Sequence, residues 1–157
     1  MPNKEIEKQY SELRKKHRIP EFGEIDMEFE ISDIEDTNFP LRAVMRRMAE
    51  KLDFYTTMLE EVLQPDTSSL YAMHEMKFFD DREKSRMYGV YAKLMSLNRQ
   101  SIEASLERDE KSEADFISNA LHDWKSLKAE LLKFVKKMRA SWNTEEADIK
   151  EDLGYLG

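Results

Sequence analysis

Residues 112–142 read SEADFISNALHDWKSLKAELLKFVKKMRASW, and this stretch decides the fold. Ile117, Ala120, Trp124, Leu127, Leu131, Phe134 and Met138 recur at alternating steps of three and four. That spacing stacks them on one stripe of an α-helix and matches no strand pattern. Leu121, Leu132, Val135 and Trp142 fall beside the stripe and are expected to widen it, as a helix with more than one neighbour requires. Ser112 and Asp115 offer a capping pair at its start. At ~1.5 Å per residue such a helix crosses a whole small domain. The periodicity speaks of architecture and not of activity.

A second stretch repeats the pattern. Pro40 opens a helix expected over 40–64, in which Leu41, Met45, Met48, Leu52, Tyr55, Leu59 and Val62 step four-three-four-three. Heptad spacing of this kind belongs to a helix packed along another helix. Pro65 and Asp66 stop it. A shorter helix is expected over 68–79, with Leu70, Met73 and Met76 turned inward. Another long helix is expected over 82–108, following Asp80 and Asp81 as end and cap, with Tyr88, Tyr91, Met95, Ile102 and Leu106 along a drifting stripe whose far half is made less apolar by Asn98, Ser101 and Ser105. On a helical stripe Tyr88 and Tyr91 read as core or interface residues rather than as acid–base groups. The helix at 113–142 is the third and last of the long ones. An N-terminal amphipathic helix over 3–17 carries Ile6, Tyr10 and Leu13, and ends before Pro20, which disfavours α conformation in the residue ahead of it. Short connections between long helices favour antiparallel neighbours. The expectation is an all-α, antiparallel helical bundle, a single domain over 1–157.

Residues 21–36 are the exception to this regularity. The segment holds eight acidic residues and no basic one, which equals the net charge of −8 of the whole chain. Ile25, Met27, Phe29 and Ile31 alternate with acids as a strand would, whereas Phe22, Ile25 and Phe29 fit a helix that starts near Pro20. No second strand is visible to pair with, and acidic residues are poor strand formers. A short helix running into an extended connection is the better fit. Phe22, Ile25, Met27, Phe29 and Ile31 form a candidate protein-docking segment, since apolar anchors with steering charge suit partner recognition. The same side chains can dock in cis, with the acids facing Arg42, Arg46 and Arg47. The tail, 143–157, is acidic and is expected to form a short helix after Thr144.

Composition narrows the function classes. The chain has 157 residues, 40% of them hydrophobic and 37% charged, with four glycines and four prolines. So few turn formers argue against a sandwich or barrel. The absence of cysteine excludes disulfides, thiolate metal sites and cysteine nucleophiles, and fits a reducing compartment. The start, MPNKEIEKQY, has no apolar run, and no segment approaches eighteen uninterrupted apolar residues. A cytoplasmic protein without membrane contact is expected.

No motif carries chemistry. His17, His74 and His122 are preceded at three residues by Arg14, Tyr71 and Asn119, so the Glu-x-x-His pair of a di-iron bundle is absent. Each histidine reads as a surface or boundary residue. Gly23, Gly89, Gly154 and Gly157 are too dispersed to cradle a phosphate. No cofactor, metal or catalytic residue is expected. A basic face does stand out: Lys125, Lys128, Lys133, Lys136, Lys137 and Arg139, with Trp142, give a net +4 between His122 and Trp142. Lysines with an aromatic can track phosphates and stack on a base. Lysines near a helix C-terminus also favour the dipole there.

The runs His17-Arg18-Ile19-Pro20-Glu21-Phe22 and Asp123-Trp124-Lys125 resemble those of small, uncharacterised all-helical archaeal proteins. That resemblance implies a helical fold and brings no activity or site residue with it. The sequence points to a non-enzymatic protein-interaction or scaffolding protein, with a protein partner or self-association. The alternative is an accessory protein that touches RNA or DNA through the basic face.

Overall fold

A computed structural model describes residues 4–35 and 38–143. The expected tail helix and the last residue of the acidic segment, Asp36, lie outside the described residues. The fold is all-α: α1 (Lys4–His17), α2 (Phe22–Phe29), α3 (Pro40–Leu63), α4 (Leu70–Met76), α5 (Asp81–Glu107) and α6 (Glu110–Ser141). No strand occurs among the described residues. The chain divides into two compact units, Met1–Asp53 with Met95–Lys125, and Phe54–Leu94 with Ser126–Gly157.

In the first unit, the start of α3, the end of α5 and the start of α6 supply the core. Leu41, Val44, Met45, Met48 and Leu52 of α3 are buried, as are Phe116, Ile117, Ala120 and Trp124 of α6. Arg42 donates from Nε to the carboxylate of Glu113 at 3.0 Å, which joins the two helix starts. Glu113 is itself buried, so this ion pair is shielded from water and salt far better than a surface pair. Only Arg108 and Asp109 separate α5 from α6, and the two helices run antiparallel.

The cap of α6 differs from the expected one. Asp109, not the Ser112–Asp115 pair, closes the helix: its Oδ1 accepts from the Ser112 N–H at 2.7 Å. The contact holds the Asp109 carboxyl below the usual aspartate range. The helix therefore begins at Glu110, about two turns ahead of the first residue of its apolar stripe, Ile117.

α1 and α2 cover this core. Ile6 and Tyr10 are buried, and the Tyr10 hydroxyl donates to the Pro20 carbonyl at 2.6 Å. Burial pushes the Tyr10 phenol well above its ordinary pKa. α2 realises the helical reading of the acidic segment and then gives way to a turn and extended chain. Phe22, Ile25, Phe29, Ile31 and Ile34 are buried. Phe29 packs on Trp124 with ring centroids 5.5 Å apart, and the Trp124 indole N–H donates to Glu28 at 2.8 Å. From α3, Lys51 donates to the Glu28 carbonyl, and Arg47 donates to both the Glu30 carbonyl and the Asp33 carboxylate at 2.6 Å. The guanidinium holds Asp33 below the usual carboxylate range.

Three helices of this unit end on a non-glycine residue in the left-handed region. Arg18, Glu30 and Arg108 have φ of 48°, 52° and 59°. Each N–H closes back on the fourth residue before it, Arg14, Asp26 and Ala104 respectively. The bond satisfies a carbonyl that the helix end would otherwise leave open.

In the second unit, Leu59 and Val62 of α3, Met87, Val90 and Leu94 of α5, and Leu127, Leu131, Phe134 and Met138 of α6 make the core. α5 starts with a reciprocal cap, in which Asp80 accepts from the Glu83 N–H at 2.7 Å and Glu83 accepts from the Asp80 N–H at 3.1 Å. Lys137 of α6 reaches the same Glu83 carboxylate at 2.6 Å, so α5 and α6 run antiparallel here too.

Three expected core assignments change. α4 spans seven residues rather than 68–79, because Ser69 caps it by accepting from the Ala72 N–H. Its inward residues are Ala72 and His74, whereas Leu70 is exposed and Met73 and Met76 are half-buried. His74 is thus a core residue and not a surface one; His17 is half-buried and His122 exposed. Of the residues expected to widen the α6 stripe, Leu121 is buried as expected, whereas Leu132, Val135 and Trp142 are exposed.

The largest change is on α5. Its buried stripe is Met87, Val90, Leu94, Leu97, Ser101 and Ala104, which also steps by three and four. Tyr88, Ile102 and Leu106 are exposed, and Tyr91 and Met95 half-buried. The two stripes lie about a third of a turn apart. The helix packs on the side that carries its smaller residues.

Candidate interaction surface

Three surfaces compete as functional sites. The first is the α2 segment. Phe22, Ile25, Phe29 and Ile31 lie inside the chain's own core, and Met27, 82% exposed, is the one member that faces outward. The basic side chains of α3 reach the segment as Arg47 and Lys51. The α2 segment therefore offers a partner the single methionine and its acids.

The second surface is the basic face of α6. Lys125, Lys128, Lys133, Lys136 and Arg139 are exposed. Within the second unit Lys137 is engaged by Glu83, and Lys133 by Glu130 at 3.4 Å. Trp142 is held as well. Its indole N–H donates to Glu75 at 2.9 Å, and one ring face lies on His74 with centroids 4.0 Å apart. His74 is fixed in turn by a hydrogen bond between Nε2 and the Ser141 carbonyl at 3.1 Å. That carbonyl is the last of α6, an acceptor the helix itself cannot satisfy. The indole stands at the helix end as a braced plate, 41% exposed.

The third surface is the outer face of α5 in the first unit. Ile102 is 44% exposed and Leu106 78% exposed, with half-buried Met95 on the same side of the helix. Ser101 and Ala104 point inward instead. Arg99 and Glu103, both exposed, lie beside these apolar residues on one edge of the row. In the second unit, Tyr88, 62% exposed, and Tyr91 continue the outer stripe of the helix with rings 6.1 Å apart. The sequence signal for this surface is the periodicity itself, which does not distinguish core from interface.

A hollow of about 720 Å³ in the first unit is lined by Arg14, Lys15, Arg18 and Phe22, but Glu7 and Glu21 line it too and offset its charge. Arg14 is drawn to Glu21 at 3.6 Å. Among the described residues, no group of three or more His, Asp or Glu is placed to hold a metal ion, and no helix is long and apolar enough to cross a membrane. Comparison with protein-family models, curated proteins and solved structures gave no match to this chain.

Proposed function

We propose that the protein works by binding rather than by catalysis, as a helical interaction or scaffolding protein that docks through the outer face of α5. One observation carries this reading. At the end of α5 the core receives Ser101 and Ala104, while Ile102 and Leu106 face out. Burying a Leu or Ile side chain is worth about 1.5–3 kcal/mol, and this helix forgoes that gain twice within two turns. Met95, Ile102 and Leu106 recur on one face, which separates them from the single exposed apolar residues normal on any surface. Covering that face recovers the stabilisation the fold leaves unused.

The test is an Ile102→Glu, Leu106→Glu double variant. It should keep the wild-type circular dichroism and melting curve, because neither side chain is in the core. Photo-crosslinks formed from Arg99 or Glu103 positions in the native cell extract should disappear from it. An unchanged crosslinking pattern in the folded variant sinks the reading.

The braced Trp142 supports a second reading, contact with RNA or DNA. A ring already braced by His74 and Glu75 yet 41% exposed loses little freedom when a base stacks on it, and Lys136 and Arg139 stand nearby on α6. Changing both to Glu should weaken binding to mixed RNA or DNA and reduce its salt slope by about 0.7–0.9 for each phosphate that is no longer neutralised. No binding at low salt ends this reading.

A further inference from the structure

We infer that the partner of the outer α5 face is a second copy of this chain, paired antiparallel along α5; the inference rests on the interaction reading above. A twofold pair requires a surface that complements itself, so that each residue meets one that it would also accept in reverse. The face carries one positive and one negative side chain, Arg99 and Glu103, four residues apart and both exposed. Such a spacing favours a bridge within the helix, yet among the described residues Arg99 donates only to its neighbour Asn98, at 2.5 Å, and Glu103 has no partner. Both charges are available to an opposite charge from outside.

Their order fixes the geometry. With the twofold axis passing beside Gln100 and Ser101, an antiparallel α5 of the second copy brings its Glu103 to Arg99 and its Arg99 to Glu103. The same axis sets Met95 against Leu106 of the second copy, twice over, with Ile102 near the centre. The apolar contacts form one row and the two ion pairs run beside it along one edge, the arrangement by which helix pairs choose orientation. A parallel pair in register would oppose Arg99 to Arg99 and Glu103 to Glu103. The charge pattern therefore selects the antiparallel form. The contact is small, so association in the micromolar range is expected.

Sedimentation velocity of the full chain over a concentration series tests this. The wild type should move from one-chain toward two-chain mass as concentration rises. Arg99→Glu alone should abolish the shift, since both crossings then oppose two acids, and Arg99→Glu with Glu103→Arg should restore it. Each variant should keep its helical circular dichroism. A wild type that stays single at every concentration, or a dimer indifferent to Arg99→Glu, overturns the inference. If the wild type is single and crosslinking to another protein still depends on Leu106, the second copy is wrong and the interaction reading stands. If neither depends on this face, both fall.

Discussion

α3 and α5 each carry an apolar stripe legible in the sequence, and the fold uses the two in opposite ways. On α3 the stripe from Leu41 to Val62 is the core, with Tyr55 alone half-buried. On α5 the stripe of largest side chains, from Tyr88 to Leu106, lies outside, and a parallel stripe that ends in Ser101 and Ala104 lies inside. Periodicity establishes that a helix is amphipathic. Where one helix bears two stripes, size does not decide which is buried. Small inward residues allow closer packing of helix on helix, and the large ones are left for contacts outside the fold.

The strongest way to break the comparison is a charge on each stripe. Leu52→Asp on α3 and Leu94→Asp on α5 should both unfold the protein, because an unpaired carboxylate in a packed interior costs several kcal/mol against a total stability of ~5–15 kcal/mol. A cooperative thermal transition retained in Leu94→Asp would restore the outer stripe as the core. Next, Ser101→Leu should destabilise by about 1–3 kcal/mol through overpacking, measured by urea denaturation; a stabilised variant would mean that Ser101 does not face the core.

A gentler contrast concerns acid. Lys137 and the Asp80 N–H hold the Glu83 carboxyl below the usual glutamate range, so the folded state binds its proton less readily than the unfolded chain. Its contribution is present above the ordinary glutamate pKa and is lost as pH falls through the lowered value. Glu83→Gln should therefore flatten the fall in melting temperature over that acid range, while an uncharged change on the α3 stripe should not. The smallest effect belongs to Leu106→Ser, expected within about ±0.5 kcal/mol of wild type. A larger loss would place Leu106 in the fold after all.

These contrasts also show what the sequence makes legible. The bounds of α3 and α5 fall within one residue of those expected, since Pro40, Pro65 and Asp80 punctuate the chain openly. The burial of Phe22, Ile25 and Phe29 follows from helical spacing beside a basic neighbour. His74 was illegible, because its burial depends on a carbonyl 67 residues away at the end of α6. Asp109 was hidden for a related reason: caps lie outside the apolar pattern that reveals the helix. The α5 face is visible as a pattern, and its spacing alone does not divide core from interface. Choosing between its stripes requires knowing how near the adjacent helices come.

The three left-handed corners at Arg18, Glu30 and Arg108 imply reserve capacity in this scaffold. An L-residue with a side chain pays roughly 1–2 kcal/mol to sit there, and the fold tolerates that three times in its first unit. The helix-closing bonds use backbone N–H groups, which any residue but proline supplies. The corners are consequently held by the chain on either side of them. Their own side chains remain at liberty to vary, and an engineer seeking a hardier protein has three exposed positions at which glycine would relax the backbone without touching a core contact.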